Sequence, residues 1–170
     1  LDREALTLCK PAIQESDSYD YDPESPAAHI IDVSENELEV PEDYTEEEKR
    51  SDILCYTTPV LDHDLTVTGD ITAVLCLSSD CPDTDLFVRI TDVDEAGTSI
   101  KLADGVIDVK YRNSFEKPEF MVPDGIYEVR IRTTKLSNTF KAGHRMRFTV
   151  TSGAKNFMFP NSNTENGFDS

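Results

Sequence analysis

An alternation of apolar and polar residues within residues 85–112 limits the fold more than any other feature of the chain. The segment reads DLFVRITDVDEAGTSIKLADGVIDVKYR, and three alternate apolar residues of its first run share one face: Leu86, Val88 and Ile90. Arg89 and Thr91 fall on the opposite face, which is the period of a half-buried strand. Gly97 supplies a reversal, because glycine accepts a positive φ. The alternation returns over residues 107–112, so the segment predicts the middle of a β-sandwich.

The same stretch carries a family resemblance. The run SSDCPDTDLFVRITDVDEAGTSIKLADGVIDVKYRNSFEKPEF resembles the C-terminal β-sandwich of the Xaa-Pro dipeptidyl-peptidase and cocaine esterase (CocE/NonD) family of serine hydrolases. It combines, in order, PDTD before a strand, a turn, an S-I-x-L-A-D-G segment and Y-R-x-S-F. YDYDPESPA at residues 19–27, RSDILCYT at residues 50–57 and SNTFKAGH at residues 137–144 are similar to further family segments. The resemblance implies an all-β, jelly-roll-like (galactose-binding-like) sandwich.

The tail SGAKNFMFPNSNTENGFDS resembles a family segment of the form N-F-x-x-F-x-x-N-x-N-T-x-x-G, with a drift around residues 158–161. In the family a further strand follows this loop and closes the sandwich, whereas this sequence stops at Ser170. We therefore expect a domain that lacks its final strand. An exposed strand edge would remain at that position, and such an edge favours self-association.

A chain of 170 residues predicts one folded domain preceded by an arm. Residues 1–49 are acidic and rich in proline, so we expect irregular structure with one edge strand over residues 5–9 and at most one helical turn over residues 45–49. The acidic run 46–48 is expected to be solvated. By the resemblance, this arm packs on the rest of the parent enzyme, so it should be loose in isolation. Residues 50–170 are predicted to form the β-sandwich.

Three further segments predict how the strands are buried. Residues 71–79, ITAVLCLSS, are apolar in both phases, which predicts a central strand covered on both sides. Residues 125–133 and 145–151 alternate cleanly, with these side chains inward: Tyr127, Val129, Ile131, Met146, Phe148 and Val150. Residues 113–124 contain two prolines and predict a long connection across one end of the sandwich.

The formal net charge of −18 bounds the partners of the chain. Nucleic acid and anionic membranes are excluded, because their phosphates would be repelled. No apolar run is long enough to span a membrane, and no N-x-[ST] acceptor is present, so we expect a soluble, cytoplasmic protein. The four cysteines have neither zinc-site nor C-x-x-C spacing, and we expect buried, reduced thiols. A bridge between Cys76 and Cys81 is the alternative.

The sequence contains no recognisable catalytic constellation. There is no G-x-S-x-G elbow and no β-α-β alternation to position one. In the family the serine, aspartate and histidine belong to the α/β-hydrolase domain that precedes the sandwich, so no residue here inherits a catalytic role. His144 is expected to be a turn histidine that donates to the backbone, His63 to lie at the surface and His29 to lie in the loose arm.

Metal and cofactor sites are not expected either. Five aspartates are candidate ligands of a calcium ion: Asp80, Asp83, Asp85, Asp92 and Asp94. Their spacing does not match an EF-hand loop, and aspartates commonly open turns and cap strand ends. An aromatic sugar platform is disfavoured because the chain has no tryptophan.

We therefore expect the non-catalytic C-terminal domain of a multidomain serine hydrolase of the Xaa-Pro dipeptidyl-peptidase or acyl esterase type. The resemblance implies that it packs on the α/β-hydrolase domain of the same polypeptide and supports the active-site pocket or a homo-oligomer. Arg130 and Arg132 are candidates for that interface, although a solvated strand face is the simpler interpretation. A free-standing module that binds carbohydrate or another ligand is the alternative, because jelly rolls serve many functions.

Overall fold

The computed structural model describes residues 16–30 and 42–165. This part of the chain contains the following strands: β1 (Leu54–Thr57), β2 (Leu65–Gly69), β3 (Thr72–Leu77), β4 (Asp85–Val93), β5 (Ser99–Asp108), β6 (Tyr127–Arg132), β7 (Leu136–Phe140) and β8 (Arg145–Thr151). Two short 3-10 helices span Glu47–Lys49 and Val109–Tyr111. The first of them confirms the helical turn predicted for the end of the arm.

The strands pair antiparallel in a nested order. β1 pairs with β8, β2 with β7, β3 with β6 and β4 with β5. β4 also pairs with β8, which gives a four-stranded sheet of order β1-β8-β4-β5. β2 and β3 follow each other closely, and Gly69 at the end of β2 has a φ of 126°, a value that favours glycine. The all-β sandwich is confirmed; the nesting supports a jelly roll, which stays a prediction.

The core lies between the four-stranded sheet and the two smaller sheets. Its larger cluster joins β4 and β8 to β3 and β6 through these buried side chains: Ala73, Leu86, Val88, Val129, Ile131 and Val150. A second cluster contains Ile90, Ala103, Leu136 and Phe140. The inward positions predicted on β6 and β8 are confirmed, because all six pack in or against these clusters. Alternation alone therefore identified the inner face.

β3 and β4 are buried in the opposite way from the prediction. Eight of the nine residues of β4 are buried, so this strand is covered on both faces rather than half-buried. β3 alternates between covered and exposed positions, and Val74 is 48% exposed. The prediction of a doubly covered strand at residues 71–79 was therefore wrong. A run of apolar residues shows that a strand can be buried on both faces. It does not show that another segment of the chain covers the second face.

The segment that covers the second face of β4 is the arm. The Tyr44 N–H donates to the Ser99 carbonyl at 2.8 Å, and the Lys101 N–H donates to the Glu42 carbonyl at 3.0 Å, so this part of the arm extends the sheet beside β5. Ala27 and Tyr44 are fully buried. The expectation that the arm has nothing to pack on does not hold for residues 16–30 and 42–49.

Two buried charged residues, one on β4 and one on the arm, show how closely the arm packs on the sheet. The Arg89 side chain lies on β4 between two rings, with its guanidinium carbon 4.3 Å from the Tyr44 centroid and 4.7 Å from the Phe87 centroid. Glu48 accepts hydrogen bonds from Ser99 at 2.9 Å and Thr91 at 3.3 Å, and pairs with Arg147 at 2.5 Å. Glu48 is buried, so the expectation of a solvated acidic run was wrong for this residue.

His29 is also buried, which corrects its placement in a loose arm. Its ring lies 4.7 Å from the Phe157 ring and 5.3 Å from the Phe87 ring. Burial, together with the nearby Lys101 and Arg89 charges, lowers the pKa of His29 to about 4, so the imidazole is neutral at physiological pH. The strand predicted over residues 5–9 lies outside the described residues, and the boundary between residues 49 and 50 stays a prediction.

The cysteine side chains do not match the expectation of burial. Cys76 is exposed on β3 and Cys81 is half-buried in the following loop, and the two do not form a disulfide. Burial raises the pKa of the Cys81 thiol, and Asp80 adds to the shift. Within residues 16–30 and 42–165, no helix has the length and apolar character needed to cross a membrane.

Candidate docking surface at the long-loop end

Three loops meet at the end of the sandwich where β4 begins, and we call this the long-loop end. They are residues 78–84 after β3, residues 109–126 after β5 and residues 152–165 after β8. The first two loops are joined through backbone hydrogen bonds of Met121 to Pro82 and Asp124 to Ser79, both at 2.7 Å. The connection predicted over residues 113–124 is therefore confirmed, and it is hydrogen-bonded to its neighbour rather than free.

The long-loop end carries most of the exposed large apolar side chains. Nine such side chains are exposed in the described residues, and six lie on two of these loops: Phe115, Phe120, Val122, Ile126, Phe157 and Phe159. Phe115, Ile126 and Phe159 are 87%, 80% and 91% exposed. Single exposed apolar residues are ordinary, but several on adjoining loops mark an interaction surface.

Arg112 fixes the shape of the loop over residues 109–126. Its guanidinium donates to the carbonyls of Val109 and Glu119, and its central carbon lies 4.5 Å from the Tyr127 ring centroid. The Tyr127 hydroxyl in turn accepts from the Val122 N–H at 2.8 Å. The exposed apolar side chains therefore project from a backbone that is held in place, and they have not collapsed onto the domain.

The loop over residues 152–165 is anchored to the arm at its start. The Lys155 N–H donates to the Ala27 carbonyl, and the His29 N–H donates to the Lys155 carbonyl, both at 2.8 Å. At Gly153 an added Cβ would lie 2.7 Å from the Pro26 side chain, so the close approach of the two segments requires glycine. Phe157 packs on β4, and the exposed Phe159 follows it.

Asp83 joins the two apolar loops. The Lys110 ammonium lies 2.8 Å from the Asp83 carboxylate, and the Asn161 side-chain amide donates to the same carboxylate at 3.2 Å and to Asp85 at 3.0 Å. Asp108 completes the group with an ion pair to Lys110 at 2.6 Å. Asp83 is fully buried, so this contact is a structural connection beneath the surface.

Three carboxylates around one ammonium give this group an unusual electrostatic balance. Burial raises the pKa of Asp85 to about 6, because desolvation disfavours the charged form and Asp108 and Asp83 repel it, although the Asn161 amide opposes the shift. Burial also raises the pKa of Asp108. Desolvation lowers the pKa of Lys110, but its bonds to Asp108 and Asp83 outweigh this effect and leave it above its ordinary value.

The aspartates considered as calcium ligands are not brought together. Asp83 and Asp85 lie at the start of β4, whereas Asp92 lies near its end and Asp94 follows it, about 25 Å away at the rise of an extended strand. In the described part of the chain, no three His, Cys, Asp or Glu side chains are grouped so that they could hold a metal ion. That the chain binds no metal ion stays a prediction.

His144 lies at the opposite end of the sandwich. Its Nδ1 lies 2.9 Å from an Asp92 oxygen, so it pairs with a carboxylate rather than with the backbone carbonyl that we expected. Gly143 beside it has a φ of 90°, a backbone conformation that favours glycine. His63 is exposed, as predicted, and it pairs with Asp62. That none of these residues is catalytic stays a prediction.

The two arginines proposed as interface candidates lie elsewhere, on the exposed face of β6. Arg130 pairs with Glu128 at 2.7 Å, and Arg132 pairs with Asp70 at 2.8 Å. Both arginine side chains are more than half exposed, and their partners lie on β6 itself and in the turn before β3. This arrangement fits a solvated strand face.

The apolar side chains of the long-loop end were not recognised from the sequence. Phe115 and Val122 follow no strand or helix period, and the prolines around them indicate only a connection. Ile126 falls in the outward phase of the strand predicted over residues 125–133. Large apolar residues in a connection rich in proline and charge are the signal that points to such a surface.

Fold and surface together describe an accessory β-sandwich with an apolar end. The family model of the X-Pro dipeptidyl-peptidase C-terminal non-catalytic domain matches residues 1–167. The chain belongs to this family. It is therefore a non-catalytic C-terminal domain, and the accessory-domain interpretation prevails over that of a free-standing binding module.

Individual relatives agree with this assignment. The chain is 35% identical over 153 residues to cocaine esterase from Rhodococcus sp. (strain MB1 Bresler), covering 89% of the chain and 27% of that protein. The crystal structure of an aminopeptidase from the marine sediment archaeon Thaumarchaeota archaeon superposes with a TM-score of 0.89 at 26% identity, covering 96% of this chain and 30% of that one.

An α-amino acid ester hydrolase shares the fold, with a TM-score of 0.79 at 22% identity over 86% of this chain and 26% of its own. The chain thus spans between a quarter and a third of the length of these three proteins.

Proposed function

We propose that this chain is the C-terminal domain of a serine hydrolase, and that its long-loop end docks on the α/β-hydrolase domain of the same polypeptide. The observation that carries the docking surface is the set of exposed apolar side chains on residues 113–126, including Phe115, Val122 and Ile126. The non-catalytic family and the longer relatives support a catalytic domain as the occupant.

The energetics of the surface favour a protein partner. Burying a large apolar side chain that is fully exposed contributes about 1.5 to 3 kcal/mol. Aromatic residues at the centre of an interface commonly dominate its binding energy. Phe115, at 87% exposure, is therefore the strongest single candidate for a docking residue.

In this proposal the domain holds loops of the hydrolase domain in place and does not enter the chemistry. The parent enzyme acts on an ester or an Xaa-Pro peptide bond, in keeping with the X-Pro dipeptidyl-peptidase family and with the similarity to cocaine esterase. Isolated from that partner, the chain is inactive.

The direct test is size-exclusion chromatography with light scattering, applied to this chain alone and mixed with the hydrolase domain that the same gene encodes. A one-to-one complex that hydrolyses an ester or Xaa-Pro substrate is the expected result. Phe115→Ser and Ile126→Ser should weaken the complex about tenfold each, which corresponds to about 1.4 kcal/mol.

Val60→Ser is the matched control, because Val60 is 51% exposed but lies in the connection at the opposite end of the sandwich. This variant should bind like the parent chain. A gene without a hydrolase domain, or the absence of association at micromolar concentration, would contradict the proposal.

A further inference from the structure

We propose that the loops over residues 109–126 and 152–165 form one docking surface for the hydrolase domain. In this proposal Asp83 is the positioning residue that fixes the two loops relative to each other. This inference rests on the proposed function and extends it to a second loop. It also assigns a role to a buried carboxylate that touches no partner itself.

The contacts of Asp83 link both loops through one side chain. One oxygen accepts from the Lys110 ammonium at 2.8 Å, and the same oxygen accepts from the Asn161 amide at 3.2 Å. The other oxygen accepts from the Lys110 backbone N–H at 3.2 Å. Lys110 belongs to the loop that carries Phe115, and Asn161 lies two residues after Phe159 in the other loop.

The second loop presents an apolar residue that packs on nothing in the described part of the chain. Phe159 is 91% exposed, although Phe157 beside it packs on His29 and Phe87. The backbone around it is fixed by Asn161, whose side-chain oxygen accepts from the Asn163 N–H at 2.7 Å. Phe159 is therefore held outward at the same end of the sandwich as Phe115.

Fixing the two loops before docking reduces the entropy that association would otherwise cost, since fewer side chains and loops must be ordered. Without the contact of Asn161 with Asp83 and Asp85, the second loop would have to be ordered during docking. Because the two loops dock as one surface, this added cost weakens the docking of both, and both loops should lose protection.

The occupant is the hydrolase domain rather than a second copy of this chain. With a net charge of −18 on each chain, two copies of this chain repel each other. The chain corresponds to 27% of cocaine esterase and 30% of the aminopeptidase, so the corresponding enzymes carry a much larger region that can cover an apolar end.

The test is amide hydrogen exchange in the full polypeptide that contains both regions, compared with this chain alone. Docking should slow exchange in residues 113–126 and 155–163 together. Phe159→Ser should accelerate exchange about fivefold or more in both loops, because the surface acts as a unit. Phe159 is so exposed that its replacement leaves the domain folded.

Asn161→Ala should have the same effect on both loops, and Val60→Ser should change neither. If Phe159→Ser and Asn161→Ala accelerate exchange in residues 155–163 alone, the single coupled surface is overturned while the proposed function stands. If neither loop is slower in the full polypeptide than in this chain, or Phe115→Ser has no effect, the docking proposal itself fails.

Discussion

β3 and β4 are consecutive strands whose sequences and surroundings are mismatched. β3 is apolar in both phases, yet one of its faces is exposed, with Val74 at 48% and Cys76 also exposed. β4 carries Arg89 and Thr91 on one face, yet these side chains are 1% and 0% exposed. The strand with the more polar sequence is the more deeply buried.

The difference arises from what covers each strand. The second face of β4 is covered by the arm and by residues 152–159, which supply Tyr44, Glu48 and Phe157 as partners for its side chains. In the described residues no segment covers the second face of β3. Arg89 and Thr91 can be buried on β4 because the Arg89 guanidinium lies against two rings and donates to the Ala28 carbonyl, and the Thr91 hydroxyl donates to the Glu48 carboxylate. Among the described residues, Nε and Nη1 of Arg89 have no hydrogen-bond partner.

The largest expected effect is that of removing an aromatic anchor from the covered face of β4. Phe87→Ala should destabilise the chain by about 3 to 5 kcal/mol, because Phe87 is fully buried against His29, Phe157 and Arg89. Chemical denaturation gives the measurement.

The matched control on β3 is Cys76→Ser, at an exposed position, which should change stability by no more than about 0.5 kcal/mol. Equal effects at the two positions would mean that the arm does not cover β4 in solution.

The next effect concerns the buried carboxylate of the arm. Glu48→Ala should cost about 2 to 4 kcal/mol, because Arg147 loses its ion pair and Ser99 and Thr91 lose their acceptor. This cost is lower than the cost of breaking an ion pair that is fully buried, since the Arg147 side chain is 23% exposed.

Glu46→Ala is the control from the same acidic run. Glu46 pairs with Lys49, but their side chains are 84% and 64% exposed, so the pair contributes at most a few tenths of a kcal/mol. A cost for Glu46→Ala as large as that for Glu48→Ala would show that the acidic run acts through general charge and not through the buried contacts.

The inner half of the sandwich could be predicted from the sequence, because period-2 alternation marks any strand with one apolar face. Ile131 and Val150 were assigned to the core on this ground alone. The outer face of β4 could not be predicted, since its cover comes from an acidic segment about 40 to 60 positions earlier and from Phe157, about 70 positions later. The docking loops could not be predicted for a related reason. Phe115 and Phe159 follow no strand or helix period, and they lie at the same end of the sandwich only because Lys110 and Asn161 meet in the folded chain.

The next effect concerns the pH dependence of stability, which we expect from Asp85 at the start of β4. Asp85 has a pKa of about 6 in the folded chain against 3.8 as its ordinary value, so the folded state binds more protons than the unfolded state between these values. Its contribution to stability is therefore fully present below about pH 4 and is lost as the pH rises through about 6.

Asp85→Asn should accordingly stabilise the chain by about 1 to 3 kcal/mol at pH 7 to 8, with the gain vanishing near pH 4. Stability measured by denaturation across this range gives the answer. Asp43→Asn should have the opposite sign, because hydrogen bonds from Thr45 lower the pKa of Asp43. A gain for Asp85→Asn that did not change with pH would contradict burial as the cause.

The smallest effect is expected on β3, where a substitution of nearly equal shape compares the two strands directly. Val74→Thr replaces a methyl group with a hydroxyl on a side chain that is 48% exposed, so water can hydrate the hydroxyl and stability should change by less than about 0.5 kcal/mol. Val88→Thr makes the same replacement on β4 at 0% exposure, where the hydroxyl enters an apolar cluster and should cost about 1 to 3 kcal/mol. Measured in this chain, the stability costs of the two substitutions should differ several-fold.

If Val74→Thr becomes costly only in the full polypeptide, the exposed face of β3 is a second contact with the hydrolase domain, and the contrast between the two strands holds only for the isolated chain.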